Sequence, residues 1–204
     1  MRRRDGQLLT PERRAFALEV GFDPERVAFM GAVHGAAVAN VDKPGLYDDV
    51  DGLVTDRPGV ALFATYADCY PVLLLDPKRG AAGLGHAGWR GTRAGISGAL
   101  VEALSYHFGS APDDLVAGIG PGVCADCYEV SAEVGARFPT EVRRASGDRW
   151  LLDLALANRR QLEAAGVPAK QIHVHGACTR ESADLPSHRR SPDGARFGCL
   201  LALR

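Results

Sequence analysis

Hydrophobic residues fall in short runs along much of this chain, and the spacing of these runs predicts strands joined by turns. Between residues 27 and 84 each run is a few residues long and is bounded by Gly, Pro or Asp, which is the pattern of a sheet. The predicted strands are residues 27–33, 37–41, 60–66, 72–75 and 81–84, with further strands at 115–119, 171–175 and 197–203.

Segments of helical composition flank these strands. Thr10, Pro11 and Glu12 form a helix start, with a capping hydroxyl, a proline at the first helical position and an acid in the first turn, and Gly21 supplies the stop. The predicted helices are residues 11–20, 93–108, 131–138 and 154–165, and residues 178–195 are predicted to form an irregular loop. The expected fold class is α+β, with mixed β-sheets layered between helices in one domain over residues 1–204.

The overall composition favours a small-molecule partner. The chain has 204 residues, 46% of them hydrophobic, which is enough for a substantial core. Its formal net charge of −1 gives no general attraction to nucleic acid or to an anionic membrane. The basic start is not followed by an apolar segment and no run is long enough to span a bilayer, so a cytoplasmic location is expected. The oligomeric state is left open, a homo-oligomer included.

Three residues with metal-ligating side chains stand at or just after the ends of predicted strands. His34 lies 35 residues before Cys69, and Cys69 lies 17 residues before His86, which opens the sequence His-Ala-Gly-Trp-Arg-Gly. Side chains at strand ends commonly gather over one rim of a sheet. Neutral imidazole and thiolate suit zinc, and three protein ligands leave a fourth position for water or substrate. The sequence therefore predicts a zinc site, with copper the weaker candidate.

Several motifs in this chain resemble those of the YfiH-like family, long described as multicopper polyphenol oxidoreductase or laccase-domain proteins. They are Val33-His34-Gly35, Thr65-Tyr66-Ala67-Asp68-Cys69-Tyr70-Pro71, His86-Ala87-Gly88-Trp89-Arg90-Gly91, Gly120-Pro121 with Tyr128-Glu129-Val130, Cys178-Thr179 and Ser187-His188-Arg189-Arg190. The resemblance implies that His34, Cys69 and His86 form a zinc-binding active site and that the sheets and helices stack as α/β/β/α.

The activity implied by the resemblance is phosphorolysis of purine nucleosides, including adenosine, inosine and methylthioadenosine, and hydrolytic deamination of adenosine. Zinc lowers the pKa of a bound water to about 7, which supplies hydroxide for attack on a purine carbon bearing an amino group. Asp68 is placed in a supporting catalytic role beside Cys69. Phosphate needs an anion site, for which Arg190 is preferred and Arg90 is the second candidate. The expected partners are a nucleoside and phosphate.

Two regions depart from the family pattern. The section before Val27 is short and lacks the family's arginine-bearing strand, so part of a substrate wall is expected to be absent. Ala32 stands where glutamine is usual, and His188 stands where tyrosine usually precedes the double arginine. These departures put substrate orientation in question. His188 is a further hypothetical metal ligand or acid–base group.

Other functions remain open from the sequence. Cys69 with His86 or His34 could instead form a thiolate–imidazolium pair that hydrolyses a small amide, such as a peptidoglycan precursor. A polyphenol oxidoreductase is a further alternative, although six histidines cannot supply the full copper set of a laccase. The third alternative is a degenerate binding protein that keeps the metal as a structural or sensing element. Cys124 and Cys127 form a CxxC motif without a second CxxC at finger spacing, which is a weak signal for metal or redox chemistry.

Overall fold

The computed structural model describes residues 10–203 and contains helices and mixed sheets, which confirms the predicted fold class. The helices are α1 Pro11–Glu19, α2 Trp89–Arg93, α3 Ile96–Phe108, α4 Ala132–Gly135 and α5 Leu154–Ala164. The strands are β1 Val27–Gly31, β2 Val38–Asn40, β3 Gly45–Asp48, β4 Gly52–Thr55, β5 Ala61–Tyr66, β6 Tyr70–Asp76, β7 Ala81–Ala87, β8 Val116–Ile119, β9 Glu129–Val130, β10 Arg143–Ser146, β11 Arg149–Leu152, β12 Ile172–Val174 and β13 Phe197–Ala202.

Two large sheets form the centre of the fold. The six-stranded sheet has the order β12-β8-β6-β7-β4-β2, with parallel pairs at its two edges and antiparallel pairs between them. The four-stranded sheet has the order β13-β5-β1-β3, in which only the β13–β5 pair is antiparallel. A small antiparallel sheet, β10-β11-β9, is not hydrogen-bonded to either of them but shares a buried cluster with the six-stranded sheet. Both large sheets are therefore mixed.

Helices α3 and α5 cover one face of the six-stranded sheet. Leu100 and Leu104 of α3 and Leu162 of α5 are fully buried in one cluster with Leu74 of β6. Gly85 of β7 permits this close approach, because a Cβ there would lie 2.5 Å from a methyl carbon of Leu100. The helix layer and the six-stranded sheet thus share the largest core.

The opposite face of the six-stranded sheet packs on the four-stranded sheet. Leu53 and Leu84 form a buried cluster with Leu62 and Tyr66 of β5. The outer face of the four-stranded sheet is covered by α1, whose Ala17 belongs to a third buried cluster with strand residues 27, 29, 61 and 63. These three interfaces produce the α/β/β/α layering that the family resemblance implied.

Some elements differ from those predicted. The predicted helix 93–108 corresponds to α3, which begins at Ile96 because Gly95 adopts a left-handed conformation (φ 88°), and Arg93 instead ends the preceding short helix α2. Strands β3, β4, β9, β10 and β11 were not predicted, because their surroundings are rich in charged residues. The loop 178–195 is confirmed: these residues, all described, form turns and bends apart from one isolated bridge at Cys178. Residues 1–9 and 204 of the predicted domain lie outside the described residues.

Within the part of the chain that the structure describes, no helix has both the length and the apolar character needed to cross a lipid bilayer.

Candidate metal centre

Strand pairing brings the three predicted ligands together at one end of the two central strands of the six-stranded sheet. β6 and β7 are antiparallel neighbours in which Tyr70 pairs with Ala87, so Cys69 and His86 lie at the same end of the pair. His34 lies in the turn that follows β1 and is close to this end of the two strands. The ligand atoms of His34, Cys69 and His86 lie within 4.8 Å of one another. The two imidazole rings meet edge to face, with centroids 4.9 Å apart.

Access to solvent differs among the three side chains. His86 is buried with 5% of its surface exposed, Cys69 is half-buried and His34 is exposed. The cluster therefore has a closed side at His86 and an open side at His34. A group bound by all three would keep a face that a small molecule can reach from solvent.

The fully buried Asp51 organises two of these residues, and the sequence analysis missed it. Its Oδ1 accepts hydrogen bonds from His86 Nδ1 and from the His34 backbone N–H, both at 2.9 Å. Its Oδ2 accepts from the backbone N–H groups of Val33 at 3.1 Å and Gly35 at 2.6 Å. One carboxylate thus fixes the turn that carries His34 and the ring orientation of His86.

The backbone of His34 explains how three successive N–H groups reach one carboxylate. Its φ of 65° is left-handed, a conformation that is uncommon for residues other than glycine. Alternating right- and left-handed residues turn consecutive N–H groups toward one point and form an anion-binding nest. Asp51 occupies this nest. The strain of the left-handed residue is offset by charge-assisted hydrogen bonds to a buried anion.

Hydrogen bonds shift the pKa values of the buried groups against the effect of burial. Burial alone disfavours the imidazolium of His86, but the hydrogen bonds to Asp51 and Cys69 outweigh it and raise its pKa to about 9. Burial likewise disfavours the Cys69 thiolate, yet hydrogen bonds from His34 and His86 lower its pKa to about 6. The Asp51 pKa is lowered for the same reason, by His86 and the backbone donors against burial. Without a metal, Cys69 and His86 form a thiolate–imidazolium pair at neutral pH.

Two glycines of the motif at residues 86–91 leave room for the cluster. A Cβ on Gly88 would lie 2.8 Å from Cys69 Sγ and 3.3 Å from His34 Cδ2. A Cβ on Gly91 would lie 2.7 Å from the carbonyl oxygen of Gly35. Both glycines are therefore required by close approach.

These observations fit a metal ion with three protein ligands. His86 uses Nδ1 for Asp51, which leaves Nε2 for a metal and reproduces the carboxylate–histidine–metal arrangement common in zinc sites. Two imidazoles and a thiolate form a donor set suited to zinc. The space that a side chain at Gly88 would fill lies against Cys69 and His34, two of the three ligands. The residues present can hold zinc without rearrangement of the backbone.

Asp68 links the turn that carries Cys69, between β5 and β6, to two segments that are distant in sequence. Its carboxylate accepts hydrogen bonds from the Thr179 hydroxyl and the Arg189 backbone N–H, both at 2.7 Å. Its carbonyl oxygen accepts from the Val123 N–H at 3.0 Å. Asp68 is buried and has a left-handed φ of 81°. In this structure it positions Cys69, and its predicted catalytic role stays a prediction.

The predicted arginines lie at the periphery. Arg90 is exposed at the start of α2, with its guanidinium 4.3 Å from the centre of the Trp89 ring. Arg190 donates hydrogen bonds to four main-chain carbonyls of its own loop, at residues 179, 180, 182 and 185. Arg189 instead lies over the Tyr128 ring at 4.8 Å. Substrate binding by Arg90 and Arg190 stays a prediction, and Arg190 also clamps the loop.

Comparison with known proteins shows the family to which the chain belongs. A family model described as "Multi-copper polyphenol oxidoreductase laccase" matches residues 5–203. The chain belongs to this family. The membership confirms the resemblance to the YfiH-like, laccase-domain proteins that the motifs indicated.

Individual relatives of this laccase-domain chain carry other names. It is 40% identical over 207 residues to a purine nucleoside phosphorylase of Deinococcus radiodurans, covering 98% of this chain and 78% of that protein. It is 34% identical over 197 residues to the adenosine deaminase RL5 of an unknown prokaryotic organism, covering 87% and 75%. The crystal structure of the hypothetical protein YfiH of Bacillus licheniformis superposes with a TM-score of 0.87 at 30% identity, covering 94% of this chain and 79% of that one.

Proposed function

We propose that this laccase-domain protein is a zinc-dependent purine nucleoside enzyme whose metal is held by His34, Cys69 and His86. The observation that carries the proposal is the convergence of these three ligand atoms within 4.8 Å, with His86 oriented by the buried Asp51. The names of the relatives, a purine nucleoside phosphorylase and an adenosine deaminase, supply the substrate class. The reactions proposed are phosphorolysis of adenosine, inosine or methylthioadenosine and deamination of adenosine.

The chain's own residues prepare the site before any substrate arrives. Asp51 holds His86 in the tautomer that presents Nε2, and it holds the His34 turn through three N–H groups. The low pKa of Cys69 keeps its sulfur ionised near neutral pH, so the proton that zinc would displace on binding is the one on His86, whose pKa is about 9 in the metal-free protein. When bound, zinc supplies a Lewis acid at the open side of this cluster.

The substrate is proposed to approach from the exposed His34 side. Arg90 and Arg190 remain the proposed phosphate ligands, and Arg90 is the less restrained of the two, since it stacks on one ring whereas Arg190 serves four carbonyls. Asp68 is the proposed supporting acid–base group, although Thr179 and Arg189 already occupy its carboxylate. Nucleoside and phosphate are thus the proposed partners. A cytoplasmic location and a homo-oligomeric state stay predictions.

The test combines metal analysis with product analysis. Purified protein is incubated with adenosine and with inosine, with and without phosphate, beside Cys69→Ala and a matched Cys199→Ala control, which lies in β13. Free base formed only with phosphate, or inosine formed from adenosine, is expected from the zinc-loaded protein and the control and is lost in Cys69→Ala. Equal turnover in Cys69→Ala would overturn the proposal.

A cysteine nucleophile is the second candidate, favoured by one observation. The Cys69 pKa of about 6 and the His86 pKa of about 9 describe a metal-free thiolate–imidazolium pair at neutral pH, which is the activated state of cysteine hydrolases. Hydrolysis of a small amide, such as a peptidoglycan precursor, by chelator-treated protein would establish this candidate. Activity abolished by the chelator and restored by Zn²⁺ would exclude it.

The family description also names polyphenol oxidation. A laccase needs a mononuclear copper and a trinuclear copper cluster, but of the six histidines only His34 and His86 lie at this centre, and His107, His173, His175 and His188 lie elsewhere. The donor set therefore favours zinc over a multi-copper assembly. Polyphenol oxidation by copper-loaded protein that exceeds the Cys69→Ala background would favour the oxidoreductase instead.

A further inference from the structure

A second group of metal-ligating side chains lies outside the proposed active centre. It consists of Cys124, Cys127, Cys178 and Glu181, whose ligand atoms lie within 4.8 Å of one another. The group joins two segments that are far apart in sequence. Cys124 precedes the 3₁₀ turn Ala125–Cys127 and Cys127 ends it, whereas Cys178 and Glu181 lie at the start of the long irregular loop.

The backbone holds these two segments in a fixed register. Gly122 and Cys178 form an isolated parallel bridge, in which the Thr179 N–H donates to the Gly122 carbonyl at 3.0 Å. Gly122 packs against Tyr70 so closely that a Cβ there would lie 2.5 Å from the Tyr70 ring. The Tyr70 hydroxyl in turn donates to the Val123 carbonyl at 2.8 Å. The four ligands therefore sit on a braced framework and do not meet by chance on flexible loops.

The distances agree with those around a tetrahedral ion. Zinc with Zn–S bonds of about 2.3 Å holds its sulfur ligands about 3.8 Å apart, and a carboxylate oxygen somewhat closer. Glu181 Oε1 lies 3.3 Å from Cys127 Sγ and 3.9 Å from Cys124 Sγ. The Cys124 backbone N–H donates to Cys178 Sγ at 3.3 Å, an interaction that stabilises a thiolate.

Charge in this cluster also favours a cation. Three thiols and one carboxylate place their ligand atoms within 4.8 Å of one another, and when ionised these groups repel each other. A divalent cation bound between them would remove that repulsion.

We propose that Cys124, Cys127, Cys178 and Glu181 form a second metal site that binds zinc and cross-links the two segments that hold Asp68. Four protein ligands fill a tetrahedral shell, so the site is structural and not catalytic. The link to the active centre runs through Asp68, which bonds Val123 beside one pair of ligands and Thr179 beside the other. The bound ion stabilises the start of the loop 178–195 next to Cys69.

The test measures metal binding at the second site in a variant whose proposed active centre has lost its thiol ligand. Cys69→Ser protein, reduced and stripped of metal, is titrated with Zn²⁺ and with Co²⁺. We expect one ion per chain and a cobalt spectrum with sulfur charge-transfer bands from three thiolates, whereas the wild type binds two ions. Cys69→Ser/Cys127→Ser is expected to bind none, and Cys69→Ser/Cys199→Ser serves as the matched thiol control that still binds one. These measurements do not depend on enzymatic activity, so an absence of the proposed nucleoside activity cannot be mistaken for an absence of the second metal site.

A second variant guards against misfolding of the cysteine variants. Glu181 is exposed, so Cys69→Ser/Glu181→Ala keeps all three thiols in place, and it is expected to bind Zn²⁺ at least about tenfold more weakly. Zinc should also raise the melting temperature of Cys69→Ser but not that of Cys69→Ser/Cys127→Ser. Absence of metal binding in reduced Cys69→Ser, or binding unchanged by both the Cys127 and Glu181 substitutions, would overturn the proposal. A disulfide among the three cysteines that persists under reducing conditions would also overturn the proposal.

Discussion

Asp51→Asn is the substitution that most directly probes how the centre is built. The two carboxylate oxygens accept four hydrogen bonds, two on each oxygen. Asparagine offers one oxygen, so in either amide orientation two of the four donors lose their acceptor and face an NH₂ group. A buried donor left without a partner costs about 1–3 kcal/mol, so the folded state should lose about 2–6 kcal/mol.

That loss is large relative to the free energy of unfolding of a typical domain, about 5–15 kcal/mol. For a chain of this size we expect the melting temperature to fall by roughly 5–20 °C. Zinc affinity should fall about 10–100-fold, because the carboxylate orients His86. Asp49→Asn is the matched control, since Asp49 is exposed two residues away. An Asp51→Asn variant that melts within about 1 °C of this control and binds zinc equally well would show that the Asp51 carboxylate neither stabilises the His34 turn nor orients His86.

The stability of the metal-free protein should depend on pH, and the pKa of His86 gives the direction of that dependence. Asp51 and Cys69 raise the His86 pKa from 6.5 to about 9, which corresponds to on the order of 3 kcal/mol. A raised pKa stabilises the fold fully below about pH 6.5, and the contribution is lost as the pH rises through about 9. The stability difference between wild type and Asp51→Asn should therefore shrink between these two pH values. The lowered Asp51 pKa acts oppositely, and its contribution is lost only on acidification.

Three further predictions follow from the site and the core. Iodoacetamide should alkylate Cys69 first in metal-free protein, at a rate that rises through about pH 6 and then levels off. Cys199, whose pKa is raised to about 11 by burial, should react slowly. Peptide mass spectrometry measures both rates, and equal rates at pH 7 would contradict the thiolate assigned to Cys69. Gly88→Ala should reduce zinc affinity without unfolding the chain, because the added Cβ meets Cys69 Sγ. Gly98→Ala in α3, where an added Cβ meets nothing within 4 Å, should bind zinc normally. Isothermal titration calorimetry measures the zinc affinity of both variants. Leu100 of α3 is fully buried against the six-stranded sheet, so Leu100→Ala should lower the free energy of unfolding in urea by about 2–5 kcal/mol. A loss below about 1 kcal/mol would show that this interface is loosely packed.

Arg190→Lys separates two roles for one side chain. Lysine cannot reproduce four carbonyl contacts with one ammonium group. If Arg190 clamps the loop, limited proteolysis within residues 178–195 should accelerate. A raised KM for phosphate with unchanged proteolysis would instead support the predicted phosphate contact.

The sequence predicted the buried strands that form long apolar runs, whereas the buried strand β4 was missed because its four residues lie between Asp51 and Asp56. Strands β5, β6 and β7 are nearly continuous apolar runs, because each lies between two layers of the fold. Strands β10 and β11 were missed because their residues are mostly exposed or half-buried, and only the Gly147-Asp148 turn between them marks the hairpin. Strand β3 is an edge strand with exposed positions and was missed for the same reason.

The candidate site divides in the same way. His34, Cys69 and His86 could be selected because their chemistry is unusual at strand ends and because their motifs resemble a family. Asp51 could not, since the nearby Asp48 and Asp49 have the same side chain and only burial distinguishes them. The CxxC motif was a weak signal on its own, because its two remaining candidate ligands, at residues 178 and 181, lie more than 50 residues further along. Long-range strand pairing and bridging create both features.

Bound metal and nucleoside products, measured in the same preparations of wild-type, Cys69→Ala and Cys199→Ala protein, decide whether His34, Cys69 and His86 form a catalytic zinc centre. We predict that zinc at this centre accompanies phosphate-dependent release of the base, or conversion of adenosine to inosine, and that Cys69→Ala loses that zinc and the turnover together. Turnover that persists in Cys69→Ala, or in wild-type protein stripped of zinc, would contradict it.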